Sequence, residues 1–374
     1  MCNTRRVQTP SIGATKQRRA ERGGQVSLAT LAAHLGLSQA AISRVLNRAP
    51  AAEAIPLVTQ ERIFAAAREF KYRPNVLARS LRRGHSMTIG VLVPEISEGY
   101  ATLVLAGLEQ GLLKAGYAFF LCSHHHDLDV IERSQTMLVE RAVDGIVAID
   151  TPLIHFSMVP TVTVSCPNPT GETTDIILDH PRGADLAMEH LHALGHRSVA
   201  VIKGQRFSSD TEPRWLAIKH AAERLGILLD PANVTQLEGD APTHEPGYLA
   251  TRRLLSSDSP FTAIFSFNDV SAIGAVRALR EAGLQVPRDV SVVGFDDVQS
   301  AAFQNPALTT VRQPLRSMGL LAAEQIVKAI EEGTSMDAPV VVAPELIVRE
   351  STSRAPRQAF SLASGSGADS HTSH

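Results

Sequence analysis

A length of 374 residues, 44% of them hydrophobic and 20% charged, is ordinary for a soluble globular protein of two to three domains. No apolar run approaches the roughly 18 residues that span a bilayer, and the polar, basic N-terminus lacks the apolar core of a secretory signal. Net charge is −2, yet residues 1–84 carry 15 Lys and Arg against 4 Asp and Glu, while residues 85–374 carry 21 against 34; a basic module for a polyanion is attached to a mildly acidic body.

Cys2, Cys122 and Cys166 are too few and too scattered for a disulfide framework or a zinc site. The chain reads as cytoplasmic, and no cofactor or metal is expected. Residues 1–25 are predicted to be a disordered basic arm, and residues 351–374, rich in Ser, Ala and Gly, a disordered tail.

From residue 26 the pattern is helical. Ser27 is a plausible N-cap ahead of Leu28, Leu31, Ala32 and Leu35, and Gly36 suits the stop. Ser38 caps a second helix whose inward face is Ala41, Ile42, Val45 and Leu46. A third helix is predicted over residues 59–70, with Ile63, Ala66, Ala67 and Phe70 on one face. Residues 75–81 are helix-compatible but too short to fold alone.

From Thr88 onward β-rich runs alternate with amphipathic stretches. Strands are predicted at 89–93, 118–122, 145–149, 199–202, 263–265 and 290–293, and helices near 101–115, 129–141, 182–194, 213–225, 247–256 and 269–283. Repeated β-α units imply open parallel sheets flanked by helices, and this length of them implies two lobes. A ligand then sits beyond the carboxyl ends of the strands.

These residues carry a resemblance. Residues 27–38 (SLATLAAHLGLS) and 42–47 (ISRVLN) resemble the headpiece of the LacI/GalR, or lactose-repressor, family. So do 72–75 (YRPN) and 78–81 (ARSL). Further on, 88–91 (TIGV), 142–146 (AVDGI), 194–197 (LGHR), 267–269 (FND), 292–297 (VVGFDD) and 308–314 (LTTVRQP) resemble that family's regulatory domain. The resemblance spans about residues 26–350 and rests on the whole set in this order.

It implies an all-α helix-turn-helix headpiece (26–73), a hinge helix and linker (74–86), and a two-lobed α/β periplasmic-binding-protein-like domain (87–350) that binds an effector and dimerises. The function implied is a DNA-binding transcription regulator, acting as a homodimer on a double-stranded operator and controlled by a small molecule, with a sugar or sugar derivative foremost. The second helix would enter the major groove, with Gln39, Ala40 and Arg44 toward the bases. Chemically, Gln39 matches adenine, Arg44 guanine and Ala40 a thymine methyl. Ser38, Ser43 and Asn47 accompany them as DNA-contact candidates, and Ser27, Ser38 and Ser43 read as caps, phosphate ligands or both. In the hinge, Asn75, Ala78, Arg79, Leu81 and Arg82 are implied DNA contacts, with Leu81 the minor-groove wedge. One departure from the family pattern is a longer loop after Asn47, with Pro56 where the third helix would begin.

For the effector the resemblance implies Arg214, Asn268 and Asp296. Tyr100 and Asp150, after the first and third predicted strands, are candidates on the other lobe. Trp215 reads equally well as core. The run His124-His125-His126-Asp127 reads as a solvated polar loop, as part of the effector pocket, or least readily as a zinc ligand set. Aldose, sugar acid and nucleobase all suit Arg214 and Asp296. An enzyme would need a site, and neither a P-loop nor G-x-S-x-G nor H-E-x-x-H occurs. A pure solute-binding protein would have a signal and no headpiece.

Overall fold

The computed structural model describes residues 26–47, 49–72, 84–97, 99–154, 158–168, 171–240, 242–333 and 338–357. It divides into two compact units, residues 1–86 and 87–374.

Among its described residues the first unit has three α-helices packed together: α1 (Leu28–Leu35), α2 (Gln39–Leu46) and α3 (Leu57–Glu69). Ser27 and Ser38 accept from Thr30 N and Ala41 N, and Gly36 ends α1 in the left-handed region that suits glycine. Leu31, Ile42, Val45, Ile63 and Ala66 form the buried core. Helix α3 starts two residues before the expected Thr59, because Pro56 occupies its N-cap instead of blocking its start. The longer loop contains a 3₁₀ turn, Pro50–Ala52. The Gln60 side chain holds that loop by donating to the carbonyls of Ala52 (3.0 Å) and Ile55 (2.8 Å).

The second unit contains two six-stranded sheets. The first has the order β11 (Val340–Val342), β5 (Thr174–Leu178), β4 (Thr161–Val164), β3 (Gly145–Ile149), β1 (Thr88–Val93), β2 (Ala118–Ser123), with every pair parallel. The second has the order β12 (Glu345–Ile347), β10 (Thr309–Arg312), β9 (Ser291–Asp296), β8 (Ala263–Ser266), β6 (Val199–Lys203), β7 (Val234–Gln236). Only β12 runs antiparallel there. Strands such as β1 and β3 are buried on both faces and so read as unbroken apolar runs.

Helices α4 (Tyr100–Ala115), α5 (Leu128–Glu140), α6 (His180–Ala193), α7 (Thr211–Leu225), α8 (Glu245–Leu255), α9 (Asp269–Glu281), α10 (Gln299–Ala302) and α11 (Leu315–Glu332) flank the sheets. The chain passes between the sheets three times: between β5 and β6, between β10 and β11, and between β11 and β12. The second passage sends α11 back to the first lobe. There Leu315, Met318, Ala322 and Ile326 join the core under β1, β3 and β4.

Helices α4 and α11 touch backbone to backbone. A Cβ on Gly107 would overlap the Arg316 carbonyl, and one on Gly319 the Val104 carbonyl. Gly319→Val is therefore expected to lower stability by about 1–3 kcal/mol or more through forced separation of the two helices. An unchanged urea midpoint would contradict this packing account.

The regulatory domain extends past the expected boundary at Glu350. Ser351 is fully buried; its carbonyl accepts from Val292 N (2.8 Å) and its hydroxyl donates to the Val292 carbonyl (2.6 Å). Ser353 N donates to Ser291 Oγ, and Ala355 N to the Leu194 carbonyl. Short polar side chains here pair with a strand edge, so the tail expected from residue 351 is partly ordered structure. Residues 1–25, 73–83 and 358–374 lie outside the described residues. With them lie the remaining parts of the predicted arm, hinge and tail, including Asn75, Ala78, Arg79, Leu81 and Arg82.

Candidate functional site

Two sites emerge, one in each unit. In the headpiece, Ile42 and Val45 turn inward while Gln39, Ala40 and Arg44 are exposed. The 3.6-residue period puts these three on the outer side of α2. Ser38 is spent on its capping bond to Ala41 N (3.2 Å). Asn47 Nδ2 donates to the Ser43 carbonyl (2.7 Å) and Ser43 Oγ (3.2 Å), closing the last turn. The helix end is thus fixed while the side chains of its outer face are left for a partner.

In the regulatory domain a cleft lies at the carboxyl ends of the strands of both sheets. Its walls include Glu95, Tyr100, His126, Asp150, Phe207, Asp210, Arg214, Asp240, Phe267, Asn268, Asp296 and Gln313. All five predicted effector residues line it, from segments as distant in sequence as Tyr100 and Asp296.

Arg214, only 2% exposed, is the fixed centre. Nη1 donates to the Phe267 carbonyl (2.7 Å), Nη2 to Asp210 Oδ2 (3.1 Å), and the plane lies 3.8 Å from the Phe295 ring centre and 4.4 Å from that of Phe267. Among the described residues its Nε has no partner. Asp210 also takes His180 Nε2 at 3.2 Å. Burial pushes the Asp210 carboxyl up, but His180 and Arg214 bring it below its ordinary value.

Asp296 is the last residue of β9, not a residue beyond the strand as expected, because pairing with β10 continues to Arg312. Positive φ at Asp296 (112°) and Asp297 (58°) turns the chain sharply there. The two carboxylates then serve different neighbours. Asp296 Oδ1 accepts from Gln313 Nε2 (2.6 Å), while Asp297 takes Arg312 (2.6 Å) and Arg349 (2.6 Å). Burial pushes the Asp296 carboxyl up to about 7, against the lowering effect of Arg214 and Gln313.

Asn268 caps α9: its Oδ1 accepts from Ser271 N (2.8 Å) within a reciprocal capping box. It therefore has both the structural role and a place in the cleft wall. Tyr100 starts α4 and its hydroxyl bonds Ser165 Oγ. Burial raises that phenol well above its ordinary value, so it stays neutral and a hydrogen-bonding group.

Asp150 is already engaged across the cleft. It accepts from Ser208 Oγ (3.2 Å), Ser209 N (3.2 Å) and Ser209 Oγ (2.6 Å), joining the end of β3 to the loop after β6. Burial pushes its carboxyl up, and Asp210 adds to that. The predicted ligand residue is thus first a bridge between the lobes.

The histidine run is solvated only at His125 and Asp127. His124 is fully buried, with Nε2 at 2.8 Å from Thr151 Oγ1 and Nδ1 accepting from His126 N (3.1 Å). Burial drives its pKa down to about 4, so the ring is neutral. His126 stacks on Phe207 with centroids 3.7 Å apart and lines the cleft. Among the described residues no group of three His, Cys, Asp or Glu could hold a metal ion. Trp215 packs on the second-lobe core with Lys203 5.3 Å from its ring, outside the cleft.

The sequence reading missed Asp210, Gln313, Phe207 and Glu95. Asp210 was within reach, since it stands four residues before Arg214 on one helical turn. Gln313 lay inside a quoted motif. Phe207 and Glu95 sit in loops that carry no local signal.

Comparisons agree with this fold. A signature described as a periplasmic binding protein-like domain matches residues 188–352. The chain is 32% identical over 329 residues to the HTH-type transcriptional repressor PurR of Haemophilus influenzae (strain PittEE), covering 84% of this chain and 95% of that protein. Among solved structures, the Lac repressor dimer bound to operator and the anti-inducer ONPF matches with TM-score 0.78 and 26% identity, over 88% of this chain and 100% of that one. The transcriptional regulator CelR–cellobiose complex matches with TM-score 0.66 and 28% identity, over 87% and 100%.

Proposed function

The chain belongs to the LacI/GalR family of transcription regulators, and on that premise we propose that it is a sequence-specific repressor whose operator affinity is set by a small polar effector in the cleft. Its relatives are repressors, not enzymes. The observation that carries the reading is the pairing, in one chain, of an outward Gln39–Ala40–Arg44 face on a capped helix with a polar cleft between two sheets. Gln39 and Arg44 read adenine and guanine edges, and Ala40 a thymine methyl. A homodimer presents two such helices to a pseudo-palindromic double-stranded operator in the cytoplasm. Asn75, Ala78, Arg79, Leu81 and Arg82 supply the hinge contacts. No described helix is long and apolar enough to cross a membrane.

The effector is a sugar or sugar derivative. Cellobiose in CelR supports that class, as do aromatic walls beside hydrogen-bonding groups in this cleft. Its binding alters the lobe arrangement through contacts such as Asp150 with Ser208 and Ser209. Coupling of this kind is typically about 1–3 kcal/mol and reciprocal.

The test is fluorescence anisotropy on fragments selected from the genome and on the chain's own upstream region, at two salt concentrations. Tight binding that weakens with salt is expected. Arg44→Ala and Gln39→Ala should each lose about 1–3 kcal/mol on the specific fragment and nothing on random DNA. Binding no tighter than to random DNA, unchanged in both variants across all selected fragments, would overturn the reading.

A further inference from the structure

The charge inventory of the cleft narrows the effector, given the regulator reading above. Five carboxylates line it, Glu95, Asp150, Asp210, Asp240 and Asp296, against one guanidinium, Arg214. That guanidinium is already committed to Asp210 and the Phe267 carbonyl. Among the described residues, none of the other four carboxylates makes an ion pair with Lys or Arg, although Arg214 is near enough to Asp296 to draw its carboxyl down. Glu95 takes only the Ser97 hydroxyl (2.8 Å), Asp150 only Ser208 and Ser209, and Asp296 only the Gln313 amide. His126, the remaining basic side chain on the wall, is held toward its neutral form by burial.

A second observation points the same way. Gln313, 3% exposed, gives its amide hydrogen to Asp296 and leaves Oε1 buried with no partner among the described residues. A buried acceptor without a donor is costly, and Arg214, which is already paired with Asp210, offsets only part of the cost of burying the Asp296 carboxylate. Beside them Arg214 Nε is a buried donor without an acceptor. The cleft therefore lacks a cationic group rich in hydrogens near Asp296 and Gln313, and a neutral oxygen near Arg214. Tyr100, Phe207 and Phe267 add aromatic surface to the wall, with His126 stacked on Phe207 and Arg214 over Phe267.

We propose that the effector is a polyhydroxylated amine, an amino sugar or amino alditol, whose ammonium group donates to Asp296 and Gln313 while a hydroxyl accepts from Arg214. Phosphorylated and carboxylated sugars are rejected, since each would bring an anion into a cleft whose carboxylates outnumber its single guanidinium. The preference is a matter of charge and not of shape alone, so it is readable by comparing ligands that differ only in that group.

Isothermal titration of the full chain at pH 7 uses glucosamine, galactosamine, mannosamine and 1-amino-1-deoxysorbitol, each beside its neutral parent and the parent's 6-phosphate. At least one amine is expected to bind about tenfold more tightly than its parent, the 6-phosphates not at all, and Asp296→Asn to erase the difference. If no amine binds more tightly than its parent, or if a 6-phosphate binds best, the proposal is wrong. A gap that persists unchanged in Asp296→Asn also overturns it. The same preparation is assayed on operator DNA. Specific operator binding beside a failed titration removes the charge preference alone, whereas failed operator binding removes the regulator reading itself.

Discussion

Replacing Arg214 with methionine is expected to cost the regulatory domain about 3–5 kcal/mol, because it strands a buried carboxylate. Asp210 is 7% exposed, and the ion pair it makes through Oδ2 is with Arg214. Without the guanidinium the carboxylate keeps His180 alone. The Phe267 carbonyl loses its donor, and the Phe295 ring loses the plane stacked upon it. Arg214→Lys should fall between, since an ammonium cannot bridge Phe267 and Asp210 in one plane. Urea unfolding of Arg214→Met, Asp210→Asn and the double variant separates the causes. If the stranded charge dominates, Asp210→Asn restores much of what Arg214→Met removes. Additive losses would instead assign the cost to packing on Phe267 and Phe295.

That pairing also shows where the sequence is legible and where it is not. The headpiece could be read locally: Ser27, Gly36 and Ser38 punctuate it, and each does so through contacts within four residues. Strands β1 and β3 could be read because both faces are buried and their apolar runs are unbroken. Strand β5 was missed because a carboxylate interrupts it. Asp175 is nevertheless buried there, held by the hydroxyls of Thr163 (2.6 Å) and Thr173 (2.7 Å). Strands β7, β10, β11 and β12, of three or four residues, are too short to show a period. Helix α11 has a regular apolar stripe, but its place in the first lobe depends on a crossing that no local pattern encodes. The cleft has the same logic. Its candidates came from the resemblance, whereas the engagement of Asp150 by Ser208 and Ser209 needs the two lobes face to face.

Asp296→Asn is expected to stabilise the unliganded domain, and by more as pH rises. In the folded chain burial holds this carboxyl up to about 7, while the unfolded chain gives up its proton near 4. Between those values the folded state binds more protons than the unfolded one, so raising pH removes stability. Asparagine carries no such proton. Its advantage over aspartate should therefore grow by up to roughly 1.4 kcal/mol per pH unit across that window and level off above it. Comparing the two proteins at each pH cancels groups they share. Those include Asp269 and Asp150, raised in the same sense, and His124, whose depressed pKa acts in the opposite one. The groups facing Asp296 include Arg214, Gln313, Asp210, Asp269 and Tyr100, so the Asn variant must keep Gln313 and Arg214 in place for the difference to be clean. A difference in urea midpoint that stays flat from pH 5 to 8 would mean that Asp296 is charged throughout. A rising one means that the cleft holds a carboxylate it ionises only at a cost, and that a cation binding there would release that cost.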